Sequence, residues 1–169
     1  MRPMDSEGLK LCAFQGRVFE LSLKHSESSS AIFIRRFMNS KAARRLDGSS
    51  FLLEASSELS IIEELEKEYG ASSYGKIKYS GEELYWMGYI YRYWCYSRQK
   101  LSSQVYRSIA ASELSGLYLP YHSLDPDAAI ARICEAKGIA DKEDYFERGL
   151  ELFRKRLILR EKMEGVYGE

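Results

Sequence analysis

The chain has 169 residues, and its 25 Lys and Arg residues balance its 25 Asp and Glu residues to a formal net charge of zero. Hydrophobic residues make up 45% and charged residues 30%, as in an ordinary soluble globular domain. This balance excludes a generally basic protein that coats nucleic acid over its whole surface. Because there are only three prolines, long helices are possible. The thirteen tyrosines favour an amphipathic core edge or a binding surface.

The sequence contains no recognisable export signal or membrane anchor. The residues after Arg2 lack an apolar stretch, and no window approaches the roughly 18–20 apolar residues of a membrane helix, so we expect a cytoplasmic protein. The three cysteines, Cys12, Cys95 and Cys134, are far apart in sequence and form no C-x-x-C pair. We therefore expect buried thiols rather than disulfides, and neither a metal site nor a cofactor.

Helical patterns follow one another along the first half of the chain. The first predicted helix runs to about residue 25, and the next three span 31–39, 41–46 and 58–69. Ser60 and Glu63 fit a capping box in the acidic segment, and Gly70 suits the left-handed position after it. Residues 51–53 fit one short extended piece.

The second half continues this pattern. The predicted helices span 81–98, 102–109, 112–117, 126–137 and 141–164. Ser80 with Glu83 forms a second capping box, and Ser112 is expected to cap the helix at 112–117. Asp125 followed by Pro126 begins a helix that Gly138 closes.

These elements predict an all-α fold. Only residues 76–79 alternate like a strand, and one strand cannot form a sheet. We predict a single compact domain over residues 1–169, a bundle of about seven helices around the aromatic-rich helix 81–98. The long helix 141–164 is expected to dock on this bundle or to serve association, and its apolar stripe at 145–159 permits a homodimer.

The central helix holds seven aromatic residues between positions 85 and 96. At 100° per residue, five of them share one face about 100° wide: Tyr85, Trp86, Tyr89, Tyr93 and Tyr96. Gly88 and Cys95 lie on the far side, where small residues permit another helix to cross closely. Because the helix is apolar almost all round, we expect it to form the core. Arg92, between the two sides, then needs a carboxylate or carbonyl partner.

Two functional interpretations of this helix stand beside the core interpretation. Arg92, Arg98, Lys100 and Arg107 alternate with tyrosines, as in a stacking platform for nucleic-acid bases. Exposed Tyr91 or Tyr96 would suit a protein interface, where tyrosine is enriched.

Catalytic motifs are weak. Residues 70–76 match the first seven positions of a phosphate-binding loop, but Ile77 replaces the Ser or Thr that binds Mg²⁺. The segment also follows an acidic helix instead of a strand, so we interpret it as a helix-terminating loop. His122 and Asp125 fit an acid–base pair, although a histidine beside a helix cap more often bonds its own turn. No nucleophile elbow, zinc-binding pair or dinucleotide fingerprint occurs in the sequence, and we predict that the protein is not an enzyme.

Charge is separated along the chain. Basic residues concentrate at 35–45 and 154–162, and acidic residues at 58–68. These faces are expected to pair within the fold, with a polar partner surface or a DNA-contacting patch as the alternatives. The short helices within 102–118 allow a helix-turn-helix-like DNA-binding regulator with Gln104 and Arg107 in front, although Glu113 makes the second a poor recognition helix.

Three segments resemble a family of small uncharacterised helical proteins of Gram-positive gut bacteria: residues 31–40 (AIFIRRFMNS), 79–94 (YSGEELYWMGYIYRYW) and 116–126 (GLYLPYHSLDP). Genes of that family lie beside predicted ADP-ribosyltransferase-like toxins. The resemblance, over roughly residues 30–136, implies a toxin–antitoxin-type operon. Since the chain lacks a transferase signature, it would be the antitoxin or an accessory member.

We therefore expect a non-catalytic interaction protein that binds a co-encoded protein, and no nucleic acid or membrane. The expected partner-binding residues are Arg35, Arg36, Tyr121 and His122. The alternatives are a DNA-binding transcriptional regulator using residues 102–118 and an enzyme of unrecognised class.

Overall fold

The structure, a computed structural model, describes residues 2–48 and 56–139. These two segments contain nine helices and no strand, so the predicted all-α class is confirmed. The helices are α1 (Ser6–His25), α2 (Ser30–Asn39), α3 (Lys41–Asp47), α4 (Glu58–Tyr69), α5 (Gly81–Ser97), α6 (Ser102–Ser108), α7 (Ala111–Gly116), α8 (Tyr118–Tyr121) and α9 (Pro126–Ala136).

The chain divides into two compact units, Met1–Ala131 and Arg132–Glu169. The predicted helix at 141–164, its dimer segment at 145–159 and the extended piece at 51–53 lie outside the described residues. Those elements and the single domain over 1–169 therefore stay predictions.

Most helix ends follow local capping chemistry. Gly70 after α4 has φ +77°, and Gly138 after α9 has φ +62°, both as predicted. The Asp125 carboxylate accepts a 2.9 Å hydrogen bond from the Asp127 amide at the start of α9. Ser80 caps α5 by accepting from the Glu83 amide at 3.2 Å. The Glu83 carboxylate accepts from the Ser115 hydroxyl at 2.6 Å, so it connects α5 to α7.

Two predicted caps are wrong. Helix α4 begins a turn before Ser60, because the Ser57 hydroxyl accepts from the Ser60 amide at 3.1 Å. Ser112 lies inside α7, since the Glu113 side chain caps this helix by accepting from the Ala110 amide at 2.9 Å. In both cases a competing residue close in sequence makes the cap. Helix α8 was not predicted from the sequence.

Helices α1 and α5 cross at very short range, and glycine makes the crossing possible. A Cβ atom on Gly88 would lie 2.6 Å from the Gln15 carbonyl oxygen and 2.9 Å from the Gly16 Cα. A Cβ atom on Gly16 would in turn lie 3.0 Å from the backbone oxygen of Tyr85. The predicted small-residue notch on α5 is therefore confirmed, and α1 is the helix that fills it.

This crossing decides which face of α5 is buried. Tyr91 and Trp94 are fully buried, whereas Tyr85, Tyr89 and Tyr93 are half-buried. The side with Gly88 thus meets the core, and most of the face with five aromatic residues lies at the rim of the core. Tyr91 and Tyr96, expected as exposed interface residues, are buried, so that expectation is wrong. The reason is steric: the small side lets the α1 backbone approach, and the wide aromatic face does not.

An aromatic cluster joins the first two helices to α5. The Phe19 ring of α1 packs edge-on against Phe33 and Phe37 of α2, with centroids 5.9 and 5.0 Å away, and lies 6.4 Å from the Tyr91 ring. The Tyr91 hydroxyl donates to the Ile109 carbonyl at 2.9 Å. This bond satisfies the one polar atom that the buried tyrosine ring carries.

Candidate functional site

Arg92 lies at the centre of a buried polar network, and the predicted need for a partner is confirmed. Its Nη1 donates to Asp47 Oδ1 at 2.7 Å, and the two side chains are 1% and 4% exposed. Its Nε donates to Gln15 at 2.8 Å and its Nη2 to the Ser102 hydroxyl at 2.9 Å. Every guanidinium nitrogen is therefore engaged, and the network connects α1, α3, α5 and α6.

A concavity of about 390 Å³ opens beside this network. Arg2 and Lys100 lie at its edge, and Arg92 and Asp47 form part of its wall. Asp47 also accepts from the Ser102 amide at 2.9 Å, so both of its oxygens are used. Since the charged groups of the wall bind one another, the network is structural, and we do not place the functional site there.

The suggested acid–base pair is not assembled by the described contacts. His122 Nδ1 lies 3.1 Å from the Tyr118 carbonyl oxygen and 3.0 Å from that of Leu119. Because carbonyls only accept, Nδ1 carries the proton and donates within its own turn. The Asp125 carboxylate bonds the amide of Asp127 instead. Each residue thus serves its own helix end.

The segment that resembles a phosphate loop has a different structure. Its backbone carbonyls face α2, where Tyr74 and Ile77 accept 3.0 Å bonds from the amides of Ser29 and Ser30. Lys78 donates to the Ser26 carbonyl at 2.6 Å. The segment is therefore an extended connection held against the start of α2, and the interpretation as a loop that ends α4 is confirmed.

Helix α8 presents apolar side chains to solvent. None of its four residues is buried, and Leu119 is 79% exposed. The Tyr118 ring lies between Trp86 of α5 and His122, with centroids 5.6 and 5.0 Å away. The structure thus places Tyr121 and His122, both expected as contact residues, beside an exposed leucine on a firmly packed aromatic base.

The rim of α5 carries a second aromatic feature close to α8. Tyr85, Tyr89 and Tyr93, one turn apart, form a row that we call the tyrosine ladder, with neighbouring centroids 6.3 and 6.4 Å apart. The pKa of Tyr89 is raised to about 12, mainly by burial, and the nearby carboxylate of Asp125 is the smallest of the contributing charges. The ladder is therefore half-buried and close to the connection between α8 and α9.

Arg35 and Arg36, also expected as contact residues, belong to α2. Arg36 donates to the Gly70 carbonyl at 3.0 Å and lies over the Tyr69 ring, 5.6 Å from its centroid. It therefore connects α2 to the end of α4, whereas Arg35 is exposed. A binding role for either arginine stays a prediction.

Part of the separated charge pairs within the described residues. Arg45 of α3 forms a 2.5 Å ion pair with Glu64 of α4, and the Lys41 amide donates to Glu68 at 3.0 Å. The basic helices α2 and α3 thus face the acidic helix α4. These contacts join the charges of α3 and α4, while the basic segment 154–162 lies outside the described residues.

Several residues on which the nucleic-acid interpretation depended have partners within the fold. Arg92 is bound to Asp47, and Arg98 forms a 3.0 Å ion pair with Asp127. In the short helices, the Gln104 side-chain oxygen accepts from the Leu101 amide at 2.9 Å, so it caps α6. Arg107 is exposed. A DNA-binding role for residues 102–118 stays a prediction that these contacts do not favour.

Two of the three cysteines have the buried thiols that the sequence predicts, Cys12 and Cys95. Cys134 is half-buried, so the prediction of burial is wrong for this residue. Burial raises the pKa of Cys12 to about 12 and that of Cys95 to about 11. Within residues 2–48 and 56–139, no group of three or more His, Cys, Asp and Glu side chains is arranged to hold a metal ion.

The described part of the chain thus defines an all-α protein with an exposed leucine on α8 and a half-buried row of tyrosines on α5. None of its helices combines the length and the apolar character needed to cross a membrane. Comparisons with protein families, curated proteins and solved structures gave no match. Function must therefore be argued from this surface and from the sequence resemblance.

Proposed function

We propose that the chain is a non-catalytic interaction protein, the antitoxin or an accessory member of a toxin–antitoxin-type system, that binds a co-encoded protein in the cytoplasm. The observation that carries the binding role is Leu119, 79% exposed on a helix that buries none of its own residues. The sequence resemblance supplies the nature of the partner, an ADP-ribosyltransferase-like toxin.

The packing below α8 supports this role. An exposed leucine on a loosely held loop would be an ordinary surface residue, but Tyr118 is fixed between Trp86 and His122. The His122 ring also bonds two carbonyls of α8. The backbone that carries the side chains at 119 and 121 is therefore anchored through Tyr118 and His122 before a partner arrives, which lowers the entropic cost of association.

The experiment co-expresses the full chain with the products of the neighbouring genes and separates them by size-exclusion chromatography. We expect one neighbouring product to co-elute with the chain. Separate elution of every product would overturn the proposal. A mobility-shift assay on the operon promoter at low salt tests the DNA-binding alternative in the same preparation.

Matched variants test whether α8 is the contact. Leu119→Ser and Tyr121→Ala are each expected to weaken the complex at least tenfold. Ile77→Ser is the control, since Ile77 is 73% exposed but lies on the connection between α4 and α5. Equal loss of binding in Leu119→Ser and Ile77→Ser would show that α8 is not the specific surface.

A further inference from the structure

The surroundings of the tyrosine ladder are acidic. The 3.0 Å ion pair between Arg98 and Asp127 brings the start of α9 to the end of α5. Burial is the main cause that raises the pKa of Tyr89 and Tyr93, and the charge of Asp125 adds a smaller contribution at both phenols. At the other end of α5, the charges of Glu82 and Glu83 add to the effect of burial in raising the pKa of Tyr118. Glu82 and Asp125 are exposed.

The described residues place both carboxylates and cations around the ladder. Arg98 is the cation close to Tyr93, and its guanidinium is paired with Asp127 at 3.0 Å. Glu83 is bound to the Ser115 hydroxyl, and Glu20 of α1 lies beside Gly81 at the start of α5. Arg17 and Lys24 line one concavity with Glu20, and Arg17 is paired with Glu58. The exposed carboxylates of Asp125 and Glu82 are the described charges on the side of the ladder towards α8.

We propose that the tyrosine ladder and Asp125 bind an arginine-containing cationic segment of the partner protein. This inference rests on the proposed function, because it names the chemistry that the same partner presents. The face of an aromatic ring attracts a cation, and a planar guanidinium both stacks on the ring and donates hydrogen bonds to a carboxylate. The ladder supplies three rings about one helical turn apart, and Asp125 supplies the carboxylate beside them.

The same charges argue against a nucleic acid as the occupant. Stacking of bases on tyrosine is favourable, but a single-stranded nucleic acid brings phosphates that need a positive groove. Here Arg98, the cation near Tyr93, is paired with Asp127, and the exposed charge near Tyr89 among the described residues is the carboxylate of Asp125. A cationic peptide is the complementary ligand.

The test uses the full chain and a synthetic peptide of alternating Arg and Ala, with a Glu–Ala peptide of equal length as the counterpart. Binding is measured by titration calorimetry at low and at moderate salt. We expect saturable binding of the Arg peptide and none of the Glu peptide. We also expect Tyr89→Leu and Asp125→Asn each to weaken the Arg peptide at least fivefold.

Three variants control for nonspecific effects. Tyr89→Phe keeps the aromatic face and is expected to bind as the wild type does, whereas a purely apolar site would not distinguish it from Tyr89→Leu. Asp125→Asn keeps the cap of α9, because asparagine is as good an N-cap as aspartate, and removes only the charge. Glu63→Gln removes an exposed carboxylate of α4 and is expected to leave binding unchanged.

Several outcomes would overturn the inference. One is equal binding of the Arg peptide to Tyr89→Leu and the wild type, and another is equal weakening by Glu63→Gln and Asp125→Asn. A third is a gain of affinity for the peptide when Arg154, Arg156 and Arg160 are changed to Gln. That result would mean that the chain's own basic segment, and not a partner, binds the ladder. If the co-encoded partner co-elutes with the ladder variants as with the wild type, this inference fails while the proposed function stands.

Discussion

Arg92 on α5 and Asp47 at the end of α3 form a 2.7 Å ion pair in which both side chains are almost completely buried. Ser102 bonds both partners: it accepts from Arg92 Nη2 and donates to Asp47 Oδ1. Both charged groups therefore have hydrogen-bond partners besides each other. Removal of one of them is expected to be strongly destabilising, because the other charge then stays buried without a counter-ion.

We expect Asp47→Ala to lower the free energy of unfolding by about 3–5 kcal/mol, because it leaves the Arg92 charge buried without its counter-ion. Urea unfolding of the full chain measures this change. The control is Glu58→Gln, which breaks the exposed ion pair between Arg17 and Glu58 and is expected to cost less than about 1 kcal/mol. Equal costs for the two variants would contradict a structural role for the buried pair.

The crossing of α1 and α5 makes a second prediction. Gly88→Ala would place a methyl group against the α1 backbone, so we expect a loss of about 1–3 kcal/mol from overpacking. Gly116→Ala is the matched control, since nothing lies within 4 Å of the position of its Cβ. The control is expected to be neutral or slightly stabilising. Thermal unfolding compares the two, and a neutral Gly88→Ala would show that the helices can separate without cost.

Thiol accessibility gives a third prediction. Iodoacetamide at pH 7.5 is expected to modify Cys134 of the native chain well before Cys12 or Cys95, because those two thiols are buried and have raised pKa values. Peptide mass spectrometry after timed quenching measures the three rates. In denaturant the rates should converge. Equal rates in the native chain would be inconsistent with the burial of α1 and α5 described above.

Stability should also fall at alkaline pH. The pKa of Cys12 is raised from its ordinary value of 9.0 to about 12 in the folded chain. Between these two values the unfolded chain loses this proton and the folded chain keeps it, so unfolding becomes more favourable as the pH rises. The contribution of this thiol is complete below about pH 9 and declines by at most about 1.4 kcal/mol per pH unit above it.

The measurement is the urea midpoint from pH 8.5 to 10.5. The wild-type midpoint is expected to fall, and that of Cys12→Ala to fall less steeply. Cys134→Ala should follow the wild type, because Cys134 is only half-buried. A Cys12→Ala slope identical to the wild type would mean that other groups, such as the buried tyrosines, carry the whole effect.

Much of the secondary structure was determined by the sequence alone. Helix α4 spans the predicted residues 58–69, and the ends at Gly70 and Gly138 have the predicted positive φ. These features depend on hydrophobic periodicity and on backbone conformations that glycine adopts most easily, both of which are local properties. Even locally, competition between neighbouring caps was not predictable, as Ser57 shows by replacing Ser60.

The tertiary structure decided which residues meet. The sequence required a partner for Arg92, but only the fold brings Asp47 to it from 45 residues away. The sequence also revealed the small side of α5 without showing that this side faces the core, since a helix apolar almost all round has no preferred face. The close approach of α1 at Gly88 settled that choice. It turned the tyrosine ladder to the rim, where the surplus of tyrosine becomes a candidate binding surface.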